Sequence, residues 1–153
     1  MSTPNLYTVA EIEISYKNPS DLLQRPRVTT SKEMVSIIRE VEDMKKNIDY
    51  KELFFAIYLN QDSRILSVGK VAEGTTTSCP ANVRQIIQSA LLQNATGLAI
   101  LHNHQSGSPD PSPQDVQITQ LIREAAKLLQ IQLLDSLIIT SYNYYSFFDS
   151  GRL

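Results

Sequence analysis

One cysteine, Cys79, is all this 153-residue chain has, so no disulfide can form within it and a cytoplasmic setting is the expectation. No apolar run approaches the ~20 residues that span a bilayer, so no membrane association is expected. Met1 to Ala10 carry neither a basic start nor an apolar stretch, which argues against a signal peptide. There is no basic run, and the net charge is −2, so nothing marks a nucleic-acid footprint. Internal repeats and low-complexity tracts are missing as well. Histidine is scarce: the chain holds only His102 and His104, one residue apart. What remains is ordinary for a soluble globular protein, at 42% hydrophobic and 20% charged residues. The length suits one domain, able to bury roughly 70% of its unfolded surface.

The hydrophobic pattern changes period repeatedly. Val9 to Tyr16 alternates weakly and reads as a short edge strand, followed by a loop through Pro19 and Pro26. Residues 1–29 are expected to form this edge strand and loop as part of the same unit as residues 30–153. Thr30-Ser31-Lys32-Glu33 is a capping box, and the apolar residues from Met34 to Met44 follow at helical spacing. Leu53 to Leu59 is a nearly continuous apolar run that reads as a buried central strand. Asn60 to Ser63 reads as a turn, with Arg64 to Ala72 pairing back as a hairpin and Gly74 to Pro80 as a polar loop. Val83 to Leu91 predicts a helix, and Leu98 to Leu101 a short strand running into His102. Pro113 suits a helix start, because its missing N–H would be unpaired there anyway. Gln132 to Thr140 and Tyr144 to Phe148 read as closing strands. The expected fold is a single α/β sandwich, with helices packed on a central mixed β-sheet.

The stretch from His102 to Asp115 carries the chemistry. Residues two apart in extended backbone point to the same side, so the two imidazoles can reach one metal ion. Asp115, in the first turn of the next helix, can supply a third ligand. Two imidazoles and a carboxylate form a catalytic zinc set with one open position. The bland alternative for the histidines is a polar surface loop. Ser112 and Asp115 also spell a helix capping box, a reading compatible with a place beside the metal. The water that a zinc ion activates needs a base. Glu52 is a candidate because it opens the most buried strand, where a charge is costly without a purpose. Its alternative is a solvated strand-end carboxylate beside Lys51, and Glu73 is its rival. Cys79 reads as a small loop residue before Pro80. The aromatic cluster from Tyr142 to Phe148 reads as the edge of a core or as a partner surface.

The run His102-Asn103-His104-x-Ser106-Gly107, then Pro111-Ser112-x-x-Asp115, resembles the JAMM (MPN-plus) zinc motif in its RadC-family form. Lys51-Glu52-Leu53-Phe54, Glu73-Gly74-Thr75, Leu133-Leu134-Asp135 and Tyr145-Ser146-Phe147 extend the likeness over roughly residues 30 to 150. The resemblance implies a JAB1/MPN-like fold related to the cytidine-deaminase architecture. It implies that His102, His104 and Asp115 hold Zn2+, that Glu52 is the acid/base residue, and that Ser112 steadies an oxyanion. Gln105 departs from the family's usual proline, and Ser136 from its usual histidine. The helix-hairpin-helix region of longer members has no counterpart in the residues before Glu52.

The function expected on this basis is zinc-dependent hydrolysis of a peptide, amide or isopeptide bond. Two alternatives stand beside it: a non-catalytic binding or assembly module, and a DNA-associated protein in keeping with the family's DNA-repair label. A homodimer is possible through the expected edge strand.

Overall fold

The apolar run after Glu52 is continuous rather than alternating because the strand it forms is covered on both faces. In the computed structural model, which describes residues 13–74 and 81–153, that strand is β1 (Glu52–Leu59). The other strands are β2 (Ile65–Gly74), β3 (Gly97–Asn103), β4 (Gln132–Ile139) and β5 (Tyr144–Ser146). The helices are α1 (Ser31–Glu40), α2 (Glu42–Asn47), α3 (Val83–Leu92) and α4 (Pro113–Leu128). The strands form one sheet in the order β2-β1-β3-β4-β5. Only β3 and β4 run parallel, and α4 makes the crossover between them.

Strand alternation divides β1 between two cores. Leu53, Phe55, Ile57 and Leu59 pack with Met34, Val35, Ile38 and Met44 of α1 and α2. Phe54, Ala56 and Tyr58 pack with Ile86 and Ala90 of α3 and with Ile122 and Ala126 of α4. The expected mixed sheet sandwiched by helices is therefore the fold observed. Each fully buried large apolar side chain is worth about 1.5–3 kcal/mol. The central strands β1 and β3, buried over nearly their whole length, are thus the firmest supports in the molecule. They carry Glu52 and His102.

Several sequence expectations change in detail. The capping box forms, with Thr30 accepting from the Glu33 N–H and Glu33 reaching back to the Thr30 N–H. The helix it opens does not run to Met44, because Val41 adopts extended backbone (φ −65°, ψ 124°) and a second helix starts behind it. Glu42 and Asp43 then occupy a new first turn, where the exposed N–H groups favour acids, and Met44 turns fully into the core. The expected edge strand is not formed over Glu13 to Tyr16, and its residues 9–12 lie outside the described residues. Instead, Val28 is buried and its N–H donates to the Ser63 carbonyl (2.9 Å), which ties the segment before α1 to the β1–β2 hairpin. Gly74 ends β2 rather than opening a loop, and residues 75–80 of that expected loop, Cys79 included, lie outside the described residues. Of the aromatic cluster, Phe147 belongs to the core, whereas Tyr142 and Phe148 are exposed.

Candidate metal centre

The same alternation that splits the core assembles the site. Glu52 shares the face of Phe54, and Phe54 is the cross-strand partner of His102. Both polar side chains therefore face the layer of α3 and α4. The Phe54 ring lies parallel to the His102 imidazole, with centroids 5.6 Å apart and 2° between the planes. His102 is not in a loop: it lies inside β3 and is 3% exposed. His104 lies one step beyond the strand, and its N–H donates to the Ile139 carbonyl of β4 (3.0 Å). Gly107, at φ +82°, closes the turn that follows, a left-handed conformation that glycine adopts without strain.

Asp115 enters from the first turn of α4. Ser112 caps this helix, its Oγ accepting from the Asp115 N–H (3.2 Å), while Asp115 Oδ2 accepts from the Ser112 N–H (2.7 Å). The capping box and the site are thus one arrangement. His102 Nε2 lies 3.0 Å from Asp115 Oδ1, His104 Nε2 lies 3.3 Å from Asp115 Oδ2, and the two Nε2 atoms are 3.2 Å apart. Glu52, His102 and His104 each offer a ligand atom, all within 4.8 Å of one another. The Glu52 Oε1 atom is 4.0 Å from His102 Nε2.

These distances permit a test of fit. Four tetrahedral ligands at zinc's usual 2.0–2.1 Å stand about 3.3–3.4 Å from one another. The separation of the two Nε2 atoms matches that edge length to within a few tenths of an ångström, as does the approach of each histidine to one of the two Asp115 oxygens, Oδ1 for His102 and Oδ2 for His104, and Glu52 Oε1 stands slightly outside it. The tautomer fits as well. His104 Nδ1 lies 3.0 Å from the Ser108 carbonyl, which can only accept. In the neutral imidazole Nδ1 therefore carries the hydrogen, and Nε2 turns its lone pair toward the cluster.

The close contacts also shift the titration of the site toward an ionised Asp115 and a protonated His104. Burial pushes the Asp115 carboxyl up, but the hydrogen bonds with His102 and His104 more than reverse this and hold it well below the usual carboxylate range. His104 is raised, first through its bond to Asp115, against an opposing effect of burial. Glu73, the rival base, sits elsewhere. Its carboxylate is paired with Lys51 and with Lys70 (2.8 Å), and these contacts hold its pKa down to about 2. A carboxylate so engaged is ionised and occupied at neutral pH.

The two departures from the family pattern have local accounts. Gln105 Nε2 donates to the Tyr50 carbonyl, a tether that stands in for the stiffness of a proline. Ser136 is buried on β4 and shares a hydrogen bond with Thr119 of α4 (2.8 Å between oxygens), which fixes the helix carrying Asp115 against the sheet. Asn103, fully buried between the two histidines, is the residue that the sequence reading passed over. Strand alternation sends it to the opposite face, and a buried amide requires partners there. A cavity of about 590 Å³ lies at the far end of α4 near Arg123 and Lys127 and contains none of these residues.

Ser112→Ala should remove the cap and half of the reciprocal bonding that aligns Asp115. The expected loss is roughly 1 kcal/mol of stability, together with about tenfold in metal affinity. Thermal melting and a chelator competition check the two separately.

The family model described as "RadC-like JAB domain" matches residues 28–152. A UPF0758 protein of Flavobacterium johnsoniae is 33% identical over 144 residues, covering 94% of this chain and 61% of its own. One from Porphyromonas gingivalis is 34% identical over 146 residues, covering 95% and 63%. One from Desulforudis audaxviator is 37% identical over 122 residues, covering 80% and 51%. The chain thus spans between about half and three fifths of the length of these relatives.

Proposed function

The chain belongs to the RadC-like JAB domain family, and from that premise we propose that it is a metal-dependent hydrolase of amide, peptide or isopeptide bonds. The observation that carries the reading is the meeting of two imidazole nitrogens and a carboxylate at ligand spacing, with a second carboxylate beside them. His102, His104 and Asp115 are the proposed ligands, and Zn2+ is the ion that a nitrogen–nitrogen–oxygen set of this spacing suits. When bound, the ion would supply Lewis acidity, polarising a water molecule and a substrate carbonyl.

The remaining work falls to side chains of this chain. Glu52, just outside the ligand spacing, accepts a proton from the attacking water and later delivers it to the departing amine nitrogen. Its side chain is 23% exposed, so it is within reach of solvent and substrate while resting on the buried strand β1. The Ser112 Oγ accepts from the Asp115 N–H, which leaves its own hydrogen free to donate to the carbonyl oxygen as charge develops there. A peptide or isopeptide substrate, a cytoplasmic location and a possible homodimer belong to the same reading. No described helix is long and apolar enough to cross a membrane.

The test is an assay of zinc-loaded chain on mixed peptide and isopeptide-linked substrates, with chelated chain beside it. Cleavage that stops on chelation and returns with zinc is the expected outcome, with Glu73→Gln as active as wild type. A fully loaded chain that cleaves nothing, while a partner binds wild type and His104→Ala alike, supports an assembly module instead. Salt-dependent affinity for DNA would support the DNA-associated reading.

A further inference from the structure

The alternation of β3 has a second consequence. His102 and His104 face the metal cluster, so Asn103 and Gln105 face the other way, toward the chain that leads into Glu52. Asn103 is fully buried and uses its whole amide there. Its Oδ1 accepts from the Leu53 N–H (2.7 Å), and its Nδ2 donates to the carbonyls of Lys51 and Ile48 (2.9 Å each). Lys51 and Leu53 are the residues on either side of Glu52. Gln105 adds a tether one residue earlier, from Nε2 to the Tyr50 carbonyl. The residues flanking His104 thus grip the backbone on both sides of Glu52.

The two groups come from segments about fifty residues apart, which sheet pairing also brings together. The β1–β3 ladder runs from Phe54↔His102 to Leu59↔Gly97 and stops short of Glu52. Beyond its last rung, the Asn103 side chain continues the connection in place of backbone pairing. An apolar residue here would leave one N–H and two carbonyls without these partners at the point where Glu52 must be held.

We propose that Asn103, with Gln105 as a second tether, is the positioning residue that registers Glu52 against the histidine pair. Asn103 touches neither ion nor substrate: it acts through the Glu52 backbone. This deepens the metallohydrolase reading and rests on it.

The experiment uses the whole chain loaded with Co2+, which takes nitrogen and oxygen sites like those of zinc and is paramagnetic. Glutamates are labelled with 13C at the side-chain carboxyl, and the Glu52 signal is identified by its loss in Glu52→Gln. In wild type that carboxyl is expected to relax faster than every other labelled glutamate. In Asn103→Ala, with one cobalt still bound per chain, the enhancement should fall severalfold while the other glutamates keep their wild-type rates. Gln105→Ala removes only a loop tether and folds without risk to the core, and it should show a smaller fall in the same direction.

An Asn103→Ala variant that binds cobalt and keeps the wild-type Glu52 relaxation overturns the proposal alone. If Asn103→Ala does not fold, an unchanged rate in Gln105→Ala overturns it. A wild-type chain that takes up no cobalt overturns the metal-site reading and this proposal with it.

Discussion

Glu52→Gln is expected to keep the metal and lose the hydrolysis, by about 10²–10⁴-fold, the usual worth of a positioned general acid or base. The substitution preserves shape and backbone, so β1 retains its packing. Metal content should not fall, because the Glu52 oxygen stands 4.0 Å from His102 Nε2 whereas Asp115 stands at 3.0 Å. An amide does not accept a proton from water at neutral pH, and its N–H hydrogens are too weakly acidic to pass to a leaving amine. The fall should therefore appear in kcat, with KM little changed. The paired control is Glu73→Gln, whose native carboxylate is tied to two lysines and held to about 2. Equal activity in Glu52→Gln and wild type, at equal metal content, removes Glu52 from the mechanism.

The second large effect concerns the fold behind the site. Asp135→Ala should cost about 3 kcal/mol or more, because three donors lose their acceptor inside the protein. Asp135 is 2% exposed and accepts from the Ser136 N–H (2.7 Å), the Phe148 N–H (3.0 Å) and the Ser146 hydroxyl (2.6 Å). These bonds pin β4, β5 and the C-terminal turn together, and β4 supports the histidine strand. For a chain of this size the melting temperature should drop by roughly 10 °C. Asp135→Asn is expected to fold nearly as well. Its carbonyl keeps both N–H bonds, and its amide can donate to the Ser146 oxygen. The pH dependence separates the two forms further. Burial raises the Asp135 carboxyl, an effect that outweighs the three hydrogen bonds. Its contribution to stability is thus fully present below the unfolded-state value and fades as pH rises through the folded one. Asp135→Asn has no such loss, so it should gain on wild type as pH rises through that range. Denaturation curves at a series of pH values check both the cost in Ala and the sign in Asn.

Much of this architecture is legible in residue order. A continuous apolar run marks β1, because both of its faces are covered, and the 3.6-residue period marks α3 and α4, because each buries one apolar face. The two histidines, Ser112 and Asp115 can be read together because strand alternation and helix capping are local rules. Other features depend on contacts that no local rule reaches. The break at Val41 interrupts a pattern that reads equally well as one helix, and only the acids at Glu42 and Asp43 hint at a restart. The choice between Glu52 and Glu73 turns on hairpin register: Leu53 pairs with Glu73, which brings that carboxylate to Lys51. Asn103 is visible only once the strand is known to be buried on both faces. Its neighbours in the sequence draw attention to the metal face, yet its partners lie on the other. Thr119 and Ser136 meet across α4 and β4 for a similar reason, since two buried hydroxyls satisfy each other at long range.

The most direct test of the central claim is the metal content of the purified chain, wild type beside His104→Ala, by elemental analysis after offering zinc. Convergence of His102, His104 and Asp115 predicts about one ion per chain in wild type. Loss of one of three protein ligands predicts little in the variant. A wild-type chain that stays empty, or a variant that binds as much as wild type, contradicts the account.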